Sequence, residues 1–237
     1  MYCMKLRVRY SEVNKQKKVD LAQIINYFQD CSTFHSEDVG YGLEVLEKIG
    51  RVWFLCSWQV EVERYPSFGE ELTIGTLAYD RNDLYAYRNF VMIDREGNQI
   101  AKANSIWFLV DTCTQKPLKI TEDDVKMYGL EQKIPMKYRE RKVKVPKEMQ
   151  KLDTFLILKS HIDTNGHVNN GQYIRFAQEY IASNFCVTSM RVDYKRAAKL
   201  GEEVVSYISK EENICMIKLC DKYDKTYVVV EFTGKYI

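Results

Sequence analysis

Apolar residues recur at helical spacing in two segments of the chain. Each segment follows a sequence that is typical of a helix N-terminus, Asp20-x-x-Gln23 in the first and Asn169-x-x-Gln172 in the second. The apolar positions are Leu21, Ile24, Ile25 and Phe28, and then Tyr173, Ile174, Ala177 and Ile181. Few polar residues interrupt these patterns, so we expect two helices that are apolar on most sides.

Strand patterns surround both helices. Residues 5–10 and 154–159 predict an opening strand before each helix, and long runs rich in Tyr, Val, Ile and Phe follow it. Turn sequences at residues 94–98 and 222–225 indicate hairpins within these runs. A long sheet wrapped around one helix is the economical way to bury such segments, and it predicts an α+β fold.

The order of elements occurs twice because the sequence itself is duplicated. Residues 60–72 match residues 192–204 at an offset of 132, and residues 11–25 match residues 160–174 at an offset of 149. The first copy therefore carries 17 extra residues between the two blocks, which we place within residues 34–56. We predict an N-terminal domain over 1–132, a basic linker over 133–151 and a C-terminal domain over 152–237.

The linker is rich in Lys and Arg and contains Pro135 and Pro146. A solvated connector is the simpler interpretation, and a docking strip for an acidic partner is the alternative.

Composition narrows the class of protein. With 46% hydrophobic and 29% charged residues the chain is not disordered, and a net charge of +2 does not indicate a nucleic-acid-binding protein.

The seven cysteines form no C-x-x-C pair, which favours reduced thiols in a cytoplasmic protein. The first residues lack the apolar core of a signal peptide, and no apolar run is long enough to span a membrane. We expect no nucleic-acid or membrane partner.

Candidate chemistry is concentrated just before the second helix. Asp163, Asn165 and His167 alternate there, so their side chains share one side if the loop is extended. An acid/base group beside a helix N-terminus, whose free N–H groups can hold an oxyanion, suffices in principle to hydrolyse an acyl bond. The alternative is that these residues only turn the chain and cap the helix.

The first copy bears on this choice. Its equivalent positions hold Asn14, Gln16 and Lys18, so the frame is retained without the acid or the imidazole. If the triplet served only the turn, the first copy would need similar chemistry. We therefore predict one competent site per chain.

The motif Asp163-x-Asn165-x-His167-Val-Asn169-Asn170-x-x-Tyr173, with Met190-x-Val-Asp193-Tyr194-Lys-Arg196 and Gly201 after it, resembles the acyl-acyl-carrier-protein thioesterases of plants and bacteria. The resemblance covers essentially the whole chain. It implies two tandem hot-dog domains, each a curved antiparallel β-sheet wrapped around a long central helix. The second domain would carry catalysis and the first would shape acyl-chain preference. The lack of a chloroplast transit peptide points to the bacterial branch.

The resemblance also implies a reaction, hydrolysis of the thioester of fatty acyl-acyl carrier protein, which releases a free fatty acid and ends chain elongation. Asp163, Asn165 and His167 match the catalytic residues of the family. We expect direct attack by water, with backbone N–H groups of residues 168–171 holding the oxyanion. The predicted substrate-binding residues are Val168, Asn169, Asn170, Gly171 and Tyr173. No cofactor or metal is expected.

One part of the family pattern is missing. The plant enzymes have a glutamate followed by a cysteine at the positions of Ala197 and Ala198. Glu202 and Glu203 lie close by, but Glu70 and Glu71 hold the equivalent places in the first copy, which favours a shared structural role.

The partner implied by the resemblance is an acyl carrier protein bearing a phosphopantetheine-linked acyl chain. Because that protein is acidic, we expect a basic docking surface, formed by linker residues or by Lys195, Arg196 and Lys199. An apolar tunnel is expected beside the first helix and the insertion, near residues 39–46 and Trp53. The protein could be a monomer or a homodimer, and the sequence does not determine the preferred chain length.

Two alternatives remain open. An acyl-coenzyme A thioesterase would act on the same thioester with a different carrier. A non-catalytic hot-dog protein would bind an acyl thioester without cleaving it, and the missing glutamate keeps that possibility alive. Dehydratase motifs are not found.

Overall fold

The computed structural model describes residues 1–236, so the last residue of the predicted C-terminal domain lies outside it. The chain divides into two compact units, Met1–Cys56 with Val60–Arg139, and Ser57–Gln59 with the residues from Glu140 onward. Each unit contains an antiparallel sheet of five strands and a helix packed against it.

In the first unit, the sheet has the order β1-β3-β4-β5-β2. Its strands are β1 (Tyr2–Arg7), β2 (Arg51–Val62), β3 (Glu71–Arg81), β4 (Ala86–Asp94) and β5 (Gln99–Asp111). The helices are α1 (Leu21–Asp38), which contacts β1 and β3, and the short α2 (Leu43–Lys48). The predicted hairpin at residues 94–98 joins β4 to β5.

In the second unit, the sheet has the order β7-β10-β9-β8-β6. Its strands are β6 (Gln150–Leu156), β7 (Phe185–Tyr194), β8 (Glu203–Lys210), β9 (Ile214–Cys220) and β10 (Thr226–Tyr236). Helix α3 (Asn170–Gln178) contacts β9 and β10. The predicted hairpin at residues 222–225 joins β9 to β10.

Both predicted helix starts are confirmed by their caps. The Asp20 carboxylate accepts a hydrogen bond from the Gln23 backbone N–H at 2.7 Å, and the Asn169 side chain accepts one from the Gly171 N–H at 2.8 Å. The helices differ in length, 18 residues in α1 and nine in α3. The insertion in the first copy accounts for the difference, since it lengthens α1 and adds α2.

The hydrophobic core lies between each sheet and its helix. Leu21, Ile24, Ile25 and Phe28 of α1 are all at most 1% exposed, and Tyr173, Ile174 and Ala177 of α3 are at most 2% exposed. Ile181, which we expected to continue the second helix, lies beyond its end.

Two apolar residues of the predicted linker pack against the two units, whereas most of its Lys and Arg side chains are exposed. Ile134 is buried against Leu77 and Val91 of the first unit, while Val143 is buried against Met216 and Val229 of the second. Residues 130–138 therefore cover the outer face of the first sheet, and residues 140–149 cover that of the second. We call these stretches the first strap and the second strap.

Polar contacts anchor both straps. Asn89 Oδ1 accepts hydrogen bonds from the Ile134 N–H at 3.1 Å and the Tyr138 hydroxyl at 2.9 Å. The fully buried carboxylate of Asp193 accepts one from the Val143 N–H at 3.2 Å and pairs with Arg141 and Lys195. Because the straps cover the outer faces, central strands are apolar on both sides.

Among residues 1–236, no helix is both long enough and apolar enough to cross a membrane.

Candidate active site

The loop that carries the predicted triplet joins a single 3-10 turn (Lys159–His161) to the start of α3. An antiparallel bridge between Ile162 and Val168 closes it, and the Asp163 N–H donates to the His167 carbonyl at 2.8 Å. Gly166 adopts a φ of 73°, a conformation that favours glycine. The Val168 N–H donates to the Ala198 carbonyl at 3.0 Å, which ties the loop to the segment between β7 and β8.

The first unit contains the same loop. Val13 and Val19 form the equivalent bridge, and the Asn14 N–H donates to the Lys18 carbonyl at 2.9 Å. Lys17 has a φ of 59° where the second copy has Gly166. The two copies thus share a backbone frame and differ in the side chains that it presents.

Asp163 organises this turn with only one of its carboxylate oxygens. Its Oδ1 accepts hydrogen bonds from the N–H of Asn165 at 2.8 Å and of His167 at 3.3 Å. In the first copy, Asn14 Oδ1 accepts the same two bonds, from Gln16 at 3.0 Å and Lys18 at 3.1 Å. The turn therefore needs an acceptor oxygen but no negative charge.

The rest of the Asp163 carboxylate is available for chemistry. Within residues 1–236, Oδ2 accepts no hydrogen bond. Asp163 and His167 are half-buried and Asn165 is exposed, so water can reach the loop. The three predicted residues lie in one turn, and the Asp163 carboxylate accepts the hydrogen bonds that close it.

The predicted oxyanion donors are mostly engaged within the protein. The N–H groups of Val168, Asn169 and Gly171 donate to Ala198, His161 and the Asn169 side chain, respectively. Each of these three N–H groups already has an acceptor within the protein, so a substrate oxygen would have to displace that bond. The Asn170 N–H, at the first position of α3, has no such bond among the described residues.

The buried Tyr173 side chain contributes to the packing and hydrogen bonding of the second unit and is not exposed to a substrate. It is 2% exposed, and its hydroxyl oxygen accepts a hydrogen bond from the Ala198 N–H at 2.7 Å. Burial raises the pKa of this phenol well above its usual range, so it stays protonated.

Sequence reasoning gave no role to Tyr194, whose hydroxyl donates to the Asn170 carbonyl at 3.0 Å and holds the first turn of α3. Its ring lies edge-on to that of Tyr173. The only signal in the sequence was its place in the second motif.

The segment after β7 contributes no acid to the site. Ala197 and Ala198 follow Arg196, and Ala198 is fully buried between the loop and Tyr173. Glu202 turns away, because its carboxylate accepts hydrogen bonds from the Lys199 N–H at 3.0 Å and the Tyr227 hydroxyl at 2.9 Å.

Duplicated contacts explain two more residues. Glu70 accepts a hydrogen bond from the Ser67 N–H at 2.9 Å, as Glu202 does from Lys199, so the shared structural role predicted for this glutamate pair is confirmed. Arg196 pairs with Asp221 at 2.6 Å, just as Arg64 pairs with Asp94 at 3.0 Å. Arg64 and Arg196 therefore play the same structural role in the two copies.

Within residues 1–236, no three His, Cys, Asp or Glu side chains are grouped so that they could hold a metal ion.

Two family models match successive parts of this chain. The acyl-ACP thioesterase N-terminal domain matches residues 1–128, and the acyl-ACP thioesterase C-terminal domain matches residues 144–236. The chain belongs to the acyl-ACP thioesterase family. The resemblance read from the Asp163–Tyr173 motif is thereby confirmed.

Curated relatives of this acyl-ACP thioesterase family member are plant proteins. The oleoyl-acyl carrier protein thioesterase 1 of Arabidopsis thaliana is 24% identical over 234 residues, which are 90% of this chain and 65% of that protein. The oleoyl-acyl carrier protein thioesterase of Coriandrum sativum is 23% identical and covers 89% of this chain and 63% of its own length. The chain spans slightly less than two thirds of the length of these relatives.

Solved structures of acyl-ACP thioesterases share the fold. That from Bacteroides thetaiotaomicron has a TM-score of 0.90 at 21% identity and covers 98% of this chain and 97% of its own. The 12:0-ACP thioesterase of Umbellularia californica has a TM-score of 0.83 at 18% identity, covering 100% and 97%. The predicted tandem hot-dog fold is confirmed.

Proposed function

We propose that the protein hydrolyses the thioester between a fatty acyl chain and acyl carrier protein, releasing the free fatty acid. Catalysis takes place at the loop of the second unit, on Asp163, Asn165 and His167. Family membership supports the reaction class.

One observation carries the assignment of the site. The turn is built equally well on Asn14 in the first unit and on Asp163 in the second, with the same two hydrogen bonds to Oδ1. The turn therefore requires neither the negative charge of Asp163 nor its Oδ2 atom. A carboxylate that the fold does not require, in the same turn as His167 and within reach of water, is suited to general-base catalysis.

The reaction proceeds by direct attack of water on the thioester carbonyl. Asp163 Oδ2 takes a proton from the water as its oxygen bonds to the carbonyl carbon, while Oδ1 stays bonded to the loop. The exposed amide of Asn165 positions the water. As the tetrahedral intermediate collapses and the C–S bond breaks, His167 passes the proton that Asp163 took from the water to the leaving sulfur, which departs as the thiol.

The oxyanion of that intermediate is held by the Asn170 N–H. This group opens α3, whose helix dipole places partial positive charge there. Tyr194 and Asn169 hold the first turn of α3 around this group, through the Asn170 carbonyl and the helix cap.

The absent glutamate does not prevent this mechanism. Ala197 lies in the segment bonded to the loop, so a carboxylate there would be a second acid near the site. Sulfur is a good leaving group, and one carboxylate with an imidazole suffices for its protonation and release.

The partner is an acyl carrier protein with a phosphopantetheine-linked acyl chain. Lys195 and Arg196 are tied to Asp193 and Asp221, so they are poor candidates for docking. The exposed residues Lys144, Lys147 and Lys199 of the second unit are better ones. Acyl-coenzyme A as substrate is the alternative, since it presents the same thioester.

The test is thiol release from acyl carrier proteins and coenzyme A loaded with the same acyl chains. Asp163→Asn keeps the Oδ1 acceptor and removes the base, so we expect turnover to fall by a factor of about 10² to 10⁴ with an unchanged unfolding midpoint. Asn14→Asp places a carboxylate in the equivalent turn of the first copy and should leave turnover unchanged.

Three other outcomes would contradict parts of the proposal. Asp163→Asn with near-normal turnover would exclude Asp163 as the base. Equal or faster thiol release from acyl-coenzyme A would identify acyl-coenzyme A, and not the acyl carrier protein, as the substrate. Binding of acyl carriers by the wild type without any thiol release would identify a non-catalytic acyl-thioester binding protein.

A further inference from the structure

Three leucines are exposed in the second unit, where β6 ends and the turn before β8 lies beside it. Leu156, Leu158 and Leu200 are 57%, 56% and 53% exposed. Leu156 and Leu158 alternate around the buried Ile157 along extended backbone, so their side chains share one side. The Ile157 carbonyl accepts a hydrogen bond from the Gly201 N–H at 3.0 Å, which places Leu200 beside them. We call the three residues the leucine patch.

The leucine patch adjoins the loop that carries the predicted triplet, which we call the site loop. The Leu158 N–H donates to His161 Nδ1 at 3.0 Å, and the His161 carbonyl accepts the N–H of Asn169 at the far end of the site loop. The segment that holds Leu200 is bonded to the same loop through the Ala198 carbonyl. A partner seated on the leucine patch therefore lies next to the proposed thioester site.

The first copy shows that the fold does not require leucine at two of these positions. Arg7 and Arg9 hold the places of Leu156 and Leu158, because β1 and β6 pair with β3 and β8 in equivalent registers. Both arginines are exposed. The second copy thus presents neighbouring apolar side chains to solvent where the same backbone accepts charged ones. Adjoining exposed apolar residues of this kind are typical of an interaction surface.

The third position of the leucine patch is apolar in both copies. Leu200 corresponds to Phe68, which is 51% exposed. The Phe68 ring packs edge-on against Tyr10, with ring centres 6.1 Å apart. The difference between the copies therefore lies at Leu156 and Leu158.

Two lysines beside the leucine patch also distinguish the second copy. Lys159 and Lys199 are exposed, and within residues 1–236 neither forms an ion pair. Their counterparts in the first copy are the uncharged Tyr10 and Ser67. Only the second copy therefore combines exposed leucines with unpaired positive charges at this place.

The second copy has also lost an acid from this turn. Glu12 of the first copy is replaced by His161. Glu203 on β8 remains exposed, while Lys151 and Asp153 farther along β6 offset each other in charge. With Lys159 and Lys199 included, the surface around the leucine patch carries net positive charge, which attracts an acidic partner.

We propose that the leucine patch, together with Lys159 and Lys199, is the docking surface for the acyl carrier protein. Acidic side chains of the carrier meet the two lysines, and apolar side chains of the carrier cover the leucines. Because the phosphopantetheine arm joins the thioester to the carrier, the carrier has to lie beside the site loop. This inference rests on the proposed function, and it places the carrier on the leucine patch and not on the second strap.

The test compares thiol release from an acyl carrier protein and from pantetheine, both loaded with the acyl chain that the wild type cleaves fastest. One double variant, Lys159→Glu with Lys199→Glu, reverses the charges, and another, Leu156→Gln with Leu158→Gln, removes the apolar surface. We expect the ratio of kcat/KM for the carrier substrate to that for the pantetheine substrate to fall about tenfold in each. All four side chains are exposed, so the unfolding midpoint should not change.

The matched control reverses two charges at the opposite end of the same sheet. Lys210 at the end of β8 and Lys235 near the end of β10 are both exposed. Lys210→Glu with Lys235→Glu changes the net charge of the protein by the same amount as the lysine pair of the docking surface. It should leave the ratio within a factor of about two, because an attraction that depends on contact is local.

Calorimetric titration of carrier protein with an unacylated arm separates docking from catalysis. Binding that weakens in both patch variants supports the docking surface. If the wild type releases no thiol from any substrate but shows this binding pattern, the proposed function fails and the docking surface stands.

Three outcomes overturn the docking surface. In the first, turnover is normal and both patch variants keep the wild-type ratio. In the second, only reversal of Lys144 and Lys147 in the second strap lowers the ratio. In the third, the wild type does not bind the carrier protein but binds vesicles of anionic phospholipid through the leucine patch. The first two outcomes leave the proposed function intact.

Discussion

At the scale of single residues, the duplicated turn separates what folding needs from what chemistry needs. Asn14 and Asp163 accept the same pair of backbone hydrogen bonds, yet only Asp163 adds a charge. The comparison of the two copies therefore shows that the fold does not require the negative charge of Asp163.

Tyr173 illustrates the opposite case. It lies in the motif, but within residues 1–236 its hydroxyl is the only acceptor of the buried Ala198 N–H. Tyr173→Phe keeps the ring and removes that acceptor, so we expect unfolding to become easier by about 1–3 kcal/mol. KM for the acyl substrate should not change. Urea unfolding and steady-state kinetics measure the two effects.

The control for Tyr173→Phe is Tyr223→Phe, at an exposed tyrosine in the β9–β10 turn. It should change neither stability nor KM. A raised KM for Tyr173→Phe with unaltered stability would restore the substrate-binding role that the sequence first indicated.

At the scale of elements, the sequence did not predict that the two straps pack on the sheets. The sequence of residues 133–151 is dominated by Lys and Arg, and its isolated apolar residues did not form a recognisable period. Ile134 and Val143 are nevertheless buried, because each covers the outer face of a sheet. The helices were easier to predict, since α1 and α3 carry a cap and a periodic apolar face.

Asp193 should hold the second strap in place. Asp193→Ala removes the acceptor of the Val143 N–H and the partner of two cations, Arg141 and Lys195. Both cations are partly exposed and can turn toward water, so we expect a loss of about 2–3 kcal/mol in the free energy of unfolding. Urea titration of the purified variant measures it.

Glu148→Ala is the matched control, because this exposed carboxylate lies in the same strap. Its effect should stay within about 0.5 kcal/mol. Equal stability of Asp193→Ala and the wild type would mean that the strap does not depend on this anchor.

At the scale of the whole molecule, stability should fall in mild acid because of one histidine. Burial, followed by the nearby charge of Arg88, lowers the pKa of His35 from 6.5 to about 4. Between these values the unfolded chain binds a proton that the folded chain excludes, so acidification favours unfolding. From pH 7 to pH 5 we expect a loss of about 2 kcal/mol.

Urea unfolding at a series of pH values measures this loss, with His35→Gln as the comparison. The variant should lose most of the slope between pH 7 and pH 5, whatever its absolute stability. Carboxylates with lowered pKa, such as Glu12 and Glu70, lose their stabilising contribution only at lower pH. An unchanged slope in His35→Gln would refute the assignment.

The sequence by itself determined the duplication, the element order, the helix caps, the family and the Asp163–His167 loop. These depend on local spacing, backbone capping and repeated short motifs, which a linear reading captures. Only the tertiary structure decided that most of the expected oxyanion donors are engaged, that the linker forms two straps and that exposed leucines adjoin the site loop. Such facts depend on which distant segments meet, because hydrogen-bond partners and burial are set by packing between elements.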